Sequence, residues 1–365
     1  MPIPSPAVVP ALAQRIAERA TRPWTVMEVC GGQTHSIVRW GLDQLLPPGL
    51  RLIHGPGCPV CVTPVATIDA ALGLAGTPGV ILATYGDMAR VPGSRPGLDL
   101  LEARAAGGDV RLLTSPLDAL ALAQACPERQ VVFFAVGFET TAPATALLAR
   151  QAWALAVPNL SLLTAHVRVA PAMEAILADP ANQVEAFLAA GHVCGVLGTE
   201  ELEALVARFQ VPVVVTGFAP ADVMAGLERA VALLESGRAE VANAYRRVVR
   251  PLGNPAARAL LAEVFAPSDE PWRGLGMIPA GGLVLRPPYD ALDARTRFAL
   301  PSPDALGGDP CPSCGEVCIS GAILQGRSTP NQCPAFGAAC TPEHPLGAPM
   351  VSSEGACAAW YRYRR

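Results

Sequence analysis

Charge is scarce in this chain. Asp, Glu, Lys and Arg make up 16% of its 365 residues, and the formal net charge is −4. No stripe of Lys and Arg is gathered anywhere, so the electrostatic footprint of a nucleic-acid-binding protein is absent. Long apolar runs are missing too. Although 51% of the residues are hydrophobic, no run approaches the roughly 18–20 residues that cross a bilayer, and no membrane partner is expected. The longest candidate, QVVFFAVGF, is short and ends in glycine, as a buried strand does. The N-terminal stretch MPIPSPAVVPALAQRIAERA lacks a basic start and is broken by prolines, which does not fit a secretion signal. Its later part, ALAQRIAERA, reads as a short helix, and residues 1–23 are expected to pack on the rest. No P-loop pattern occurs. Eleven cysteines is an odd number, which suits reduced thiols in a cytoplasm better than a closed disulfide framework.

What the chain does hold is a βα alternation. Eight apolar runs recur: TVMEV (25–29), LRLIH (50–54), VILATY (80–85), VRLLT (110–114), VVFFAV (131–136), LSLLTA (160–165), VCGVLG (193–198) and VPVVVTG (211–217). Several are continuously hydrophobic, as parallel strands covered on both faces are. Amphipathic or alanine-rich stretches such as DALALAQAC (118–126) and AMEAILA (172–178) lie between them, which predicts an α/β protein with parallel sheet. The spacing of the runs suggests two four-stranded α/β domains, 24–125 and 126–225. An eight-stranded βα barrel has the same strand count and is the alternative. After residue 225 come two helical stretches, LERAVALLESG and ARALLAEVF, and then a region rich in Pro, Gly and Cys. Residues 226–365 are therefore expected to form a third domain that holds a metal cluster.

Ligands of open parallel sheets bind beyond the carboxyl ends of the strands, and the unusual residues gather there. The first run leads into Cys30-Gly-Gly-Gln-Thr-His35 and the second into His54-Gly-Pro-Gly-Cys58. The fifth ends in Gly137-Phe-Glu139-Thr-Thr141 and the sixth in His166, while Gly191-His192 precedes the seventh. Any one of these glycines is explained by a tight turn. The repetition of Cys, His, Glu and Thr at the same ends points to a site. Cys58-Pro-Val-Cys61 has the spacing of a redox dithiol or of half a zinc site, for which Cys311 and Cys314 would supply the other half. Cys30 is a candidate thiolate ligand or nucleophile, with His35 to lower its pKa or to act as a second ligand. Cys126 and Cys194 read as core residues.

Six cysteines, Cys311, Cys314, Cys318, Cys333, Cys340 and Cys357, stand among C-terminal loop formers. An iron–sulfur cluster needs four thiolates drawn to one point. Cys333, Cys340 and Cys357 are three candidates, and Cys311, Cys314 and Cys318 compete for the fourth place. Structural four-Cys zinc is the alternative, though no His follows at zinc-finger spacing.

The segments MEVCGGQTHSIVRWG, IHGPGCPVCVTP, GFETTAP, AHVRVAPAMEAIL, WRGLGMIP, CPAFGAACTPEHPLG and MVSSEGACAAWY together resemble the HypD family of [NiFe]-hydrogenase maturation proteins, essentially from end to end. The resemblance implies two Rossmann-like parallel-sheet domains plus a C-terminal iron–sulfur cluster domain. It implies a scaffold and redox protein for the Fe(CN)₂CO unit, acting with HypC and receiving cyanide from HypE, and meeting the hydrogenase large subunit only indirectly. By that resemblance Cys30, beside His35, is the ligand of the iron being assembled. Cys58 and Cys61 exchange electrons near it, and Cys318, Cys333, Cys340 and Cys357 bind a [4Fe-4S] cluster. Such a protein is an assembly scaffold more than a turnover enzyme. The contrasting function is a thiol–disulfide oxidoreductase resembling ferredoxin:thioredoxin reductase, which has no use for a third thiol at a neighbouring strand end.

Overall fold

The computed structural model describes residues 6–95, 97–302 and 317–364. Cys311 and Cys314 lie outside the described residues. Eleven strands follow one another among these: β1 (Trp24–Glu28), β2 (Leu50–His54), β3 (Val80–Thr84), β4 (Val110–Leu112), β5 (Gln130–Gly137), β6 (Leu160–Val167), β7 (Ala186–Ala190), β8 (Val213–Thr216), β9 (Val241–Asn243), β10 (Phe265–Trp272) and β11 (Gly276–Leu285). They build two open sheets, which excludes the barrel. The first has the order β2-β1-β7-β8-β9 and is parallel throughout. The second has the order β10-β11-β6-β5-β3-β4, with four parallel strands and an antiparallel hairpin at one edge.

The continuous apolar runs are buried on both faces, as expected of such strands. Along β5, Phe133 packs into one hydrophobic cluster and its neighbour Phe134 into another. The Phe134 cluster passes between the sheets, taking in Met27 and Phe187 from the first and Leu82 and Leu163 from the second. The outer face of the first sheet holds Val26, Leu188 and Val214 against the helix Pro220–Glu235. The N-terminal helix Val9–Arg19 lies on that same helix through Leu12 and Ile16, with Arg15 paired to Glu228 at 3.2 Å.

Three expectations need correction. The sheets do not follow one another along the chain: β1 and β2 belong with β7 and β8, whereas β3 to β6 form the core of the other sheet. The expected break near residue 125 thus falls inside the second sheet, between β4 and β5. An apolar run shows that a strand is buried but not which strand pairs with it. Secondly, VCGVLG is not a strand. Val193 and Cys194 are buried on the helix Gly191–Leu197, and the seventh strand is the five residues before it. Its apolar residues recur at helical offsets, which a short run conceals. Thirdly, the chain beyond 225 does not stand wholly apart, because β9 extends the first sheet and the β10–β11 hairpin extends the second. The segment 317–364 then packs over the start of the molecule. Its helix Ala356–Tyr363 lies against Gly31–Trp40, and its helix Ala348–Val351 lies against Pro59–Val62.

Candidate functional site

β1 is wholly buried and its one ionisable residue is the last, Glu28, after which the chain passes Cys30 into the helix Gly31–Trp40. Cys30 sits at the N-cap in extended conformation. The loop that follows β2 presses on it. Gly31 N–H donates to Gly57 O at 2.8 Å, and a Cβ on Gly57 would stand 2.3 Å from Cys30 N, so only glycine fits. The next residues are Cys58 and Cys61, which form a disulfide with Cα atoms 5.3 Å apart. Thiol and disulfide therefore occupy adjoining strand ends of the first sheet.

Cys30 Sγ lies 3.7 Å from His192 Nδ1. His192 opens the helix after β7, the strand beside β1, so sheet order brings the two together. Burial pushes the imidazole down to about 4, which keeps it neutral and makes it a weak base. Burial also drives the Cys30 thiol far above its usual range, and the Glu28 charge adds to that rise against backbone N–H groups of Gln33 and Gly32. His35 is engaged elsewhere: its Nε2 is 3.1 Å from the Tyr363 hydroxyl. The histidine that reaches the thiol is His192, not the one five residues along the same helix.

Glu28 is wholly buried and fully hydrogen-bonded. Its Oε2 accepts Cys30 N–H at 2.9 Å, and its Oε1 accepts from Thr34 Oγ1 at 2.5 Å and His54 Nδ1 at 2.7 Å. Trp360 Nε1 donates to His54 Nε2 at 3.2 Å. An indole nitrogen can only donate, so the His54 proton sits on Nδ1 and points at Glu28. Sequence reasoning passed over Glu28 and Trp360 and left His192 undecided. The available signal was a carboxylate at the end of a strand otherwise buried and uncharged, since a buried charge requires partners.

Cys318, Cys333, Cys340 and Cys357 line one small cavity with Ile323, Phe336, Pro349 and Met350. Burial and the neighbouring thiols push Cys357 well above its ordinary value, and burial does the same for Cys340. Leu346 N–H approaches Cys340 Sγ at 3.4 Å, a backbone donor of the kind that stabilises charge on sulfur. Among the described residues no three His, Cys, Asp or Glu side chains converge as ligands of a single ion. Four cysteine thiols facing one cavity are a donor set that suits either an iron–sulfur cluster or a four-Cys zinc ion. This cavity adjoins the disulfide, since Pro349 and Met350 belong to the helix that packs on Pro59–Val62.

The other singled-out residues lie apart. Glu139 accepts Val169 N–H at 2.9 Å, and His166 Nε2 is 2.9 Å from Thr145 Oγ1. Cys194 is buried, and desolvation pushes its thiol up to about 12. Glu139 and Cys194 border a cavity of about 370 Å³ that none of the other cysteines lines.

Fold and site together define an α/β protein equipped for thiol and soft-metal chemistry, with a buried thiol, a dithiol and a four-cysteine pocket on one side. A family model described as "Hydrogenase formation hypA family" (HypD) matches residues 7–364. The chain is 46% identical over 369 residues to the hydrogenase maturation factor HypD of Escherichia coli (strain K12), covering 99% of this chain and 96% of that protein. It is 47% identical over 362 residues to its counterpart in Azotobacter vinelandii, covering 97% and 93%. With the Rhodobacter capsulatus factor it shares 45% over 359 residues, covering 98% and 94%. The chain belongs to the HypD family.

Proposed function

We propose that the chain is a hydrogenase maturation factor, a scaffold and redox protein on which the Fe(CN)₂CO unit of [NiFe]-hydrogenases is assembled. HypC is the partner that shares the scaffold, HypE is the source of cyanide, and the hydrogenase large subunit is served indirectly. The observation that carries this reading is the Cys30–His192 contact of 3.7 Å beside the Cys58–Cys61 disulfide. A soft thiolate suits iron that carries strong-field ligands. An arriving cation displaces the thiol proton, and neutral His192, 3.7 Å from the sulfur, stands beside the site as a polar partner. The buried Glu28 carboxyl group, hydrogen-bonded to the Cys30 amide, Thr34 and His54, holds the strand end beside the incoming iron.

Reducing the Cys58–Cys61 bond takes up two electrons and two protons, and closing it returns them. The dithiol is therefore a two-electron store next to the assembling iron. Cys318, Cys333, Cys340 and Cys357 are the residues that would hold a [4Fe-4S] cluster, which supplies one-electron transfer when bound. Reduced thiols of this kind belong in a cytoplasmic setting, and no helix among the described residues is long and apolar enough to cross a membrane.

The adjoining disulfide and four-cysteine pocket also favour a second reading, the thiol–disulfide oxidoreductase. Infrared spectroscopy of anaerobically purified protein with HypC separates the two. The scaffold shows bands of iron-bound cyanide and carbonyl, and Cys30→Ala removes them while the visible absorption of the cluster stays. Absence of such bands from protein that retains its cluster selects the reductase.

A further inference from the structure

The helix Ala356–Tyr363 carries Cys357 of the four-cysteine pocket and reaches the Cys30 strand end through a continuous line of hydrogen bonds that starts at half-buried Trp360. Trp360 donates to His54, His54 donates to Glu28, and Glu28 accepts the amide of Cys30, at 3.2, 2.7 and 2.9 Å. Each link has a fixed direction, because the indole can only donate and so sets the His54 tautomer. We propose that Trp360, His54 and Glu28 are positioning residues that tie the Cys30 thiol to the seating of the helix bearing Cys357. The inference rests on the reading of Cys30 as the assembly thiol for its purpose, not for its geometry.

The physical argument is local. Cys30 and its amide are buried, as are Glu28 and His54. If Trp360 withdraws, His54 Nε2 is left in the interior as an acceptor without a donor, and the imidazole is free to turn. Glu28 then loses a partner on Oε1, and the carboxylate that fixes the Cys30 amide is no longer held from both sides. Displacement of the Cys357 helix, by loss or gain of whatever its pocket holds, would be felt at Cys30 by this route. The same helix makes two other contacts with the first part of the chain, Tyr363 to His35 at 3.1 Å and Arg364 to Asp43. Neither touches Glu28; Arg364 also stacks on the Trp360 ring, so Tyr363 supplies the control.

The test is the rate at which iodoacetamide alkylates Cys30, read on its own peptide by mass spectrometry at one fixed pH. A buried thiol reacts through local opening, so the rate reports how firmly the strand end is closed. Trp360→Phe keeps an aromatic ring but removes the donor, and should speed alkylation about tenfold, the size expected when a buried acceptor loses its partner. Tyr363→Phe should leave the rate within about twofold. His54→Gln should raise it, and the Trp360→Phe/His54→Gln double variant should be no faster than the faster single variant, as for residues acting in one line. Equal acceleration by Trp360→Phe and Tyr363→Phe would mean general docking of the helix and overturn the proposal. An unchanged rate in Trp360→Phe, or additive effects in the double variant, would overturn it as well. The measurement needs no iron at Cys30, so its failure is distinct from the absence of cyanide and carbonyl bands.

Discussion

Glu139 is a carboxyl group sealed in the interior, with Oε2 lacking a hydrogen-bond partner and burial raising its pKa to about 7. In the unfolded chain such a group ionises near 4.3. Between those values the folded protein retains a proton that the unfolded chain has released. Stability from this residue is complete below about pH 4 and is lost as the pH rises through 7. Glu139→Gln removes the ionisation. The variant should therefore gain on the wild type by up to the order of 3 kcal/mol at pH 8, with little of that gain at pH 4. Urea unfolding at both pH values checks this, and a difference independent of pH would show that Glu139 does not titrate as the burial demands. The cysteines were legible at this scale, because thiols at strand ends and among loop formers are conspicuous by residue type and spacing. His192 was not, because its link to Cys30 spans 162 residues and exists only through the pairing of β1 with β7.

Two elements invite experiment: the loop that meets Cys30 and the wrap of chain around the cysteine pocket. Gly57→Ala would place a methyl group 2.3 Å from Cys30 N and 2.5 Å from Cys30 Cα, against backbone that cannot swing aside. Overpacking of this kind typically costs about 1–3 kcal/mol. The variant should lose that much in chemical denaturation and alter Cys30 alkylation. Full stability with unaltered reactivity would mean the two strand ends separate easily. In the pocket, Cys318 stands with Cys333, Cys340 and Cys357. Serine at any of these four should bleach the absorption expected of such a cluster near ~400 nm, whereas Cys311→Ser and Cys314→Ser should not. Bleaching by Cys311→Ser with colour retained in Cys318→Ser would reassign the fourth ligand. Element identity was mostly readable from the runs themselves, and the exception is instructive. VCGVLG and AFLAA are both short and apolar, and only the burial pattern separates them: AFLAA is buried at every residue, whereas the helix buries Gly191, Val193 and Cys194 and leaves 195–197 half-buried.

At the scale of the molecule, the chain starts one sheet, leaves it for four strands, returns to finish it, and then closes the edge of the other. The α/β class and seven of the eleven strands among the described residues were visible in the sequence. The interleaving was not, since pairing is decided by which faces cover each other in three dimensions. One consequence is measurable: residues 24–125 expressed alone hold β1 and β2 without β7, and β3 and β4 without β5. That fragment should show no cooperative thermal transition by circular dichroism. A sharp two-state melt would mean that the first four strands can form a unit of their own.

The Trp360–His54 bond has a further bearing on how the protein is made. Cys30 leaves the ribosome early, but β7 follows some 160 residues later and Trp360 some 330 residues later. At roughly 5–20 residues per second, that delay is on the order of 15–70 seconds. Throughout it the thiol and its CPVC neighbours have no finished surroundings. A message cut short before codon 360 would yield a chain with every residue of the Cys30 strand end but without the donor that sets His54. In this order of synthesis the last hydrogen bond of the line to Glu28 waits for Trp360, made after all four cysteines of the pocket.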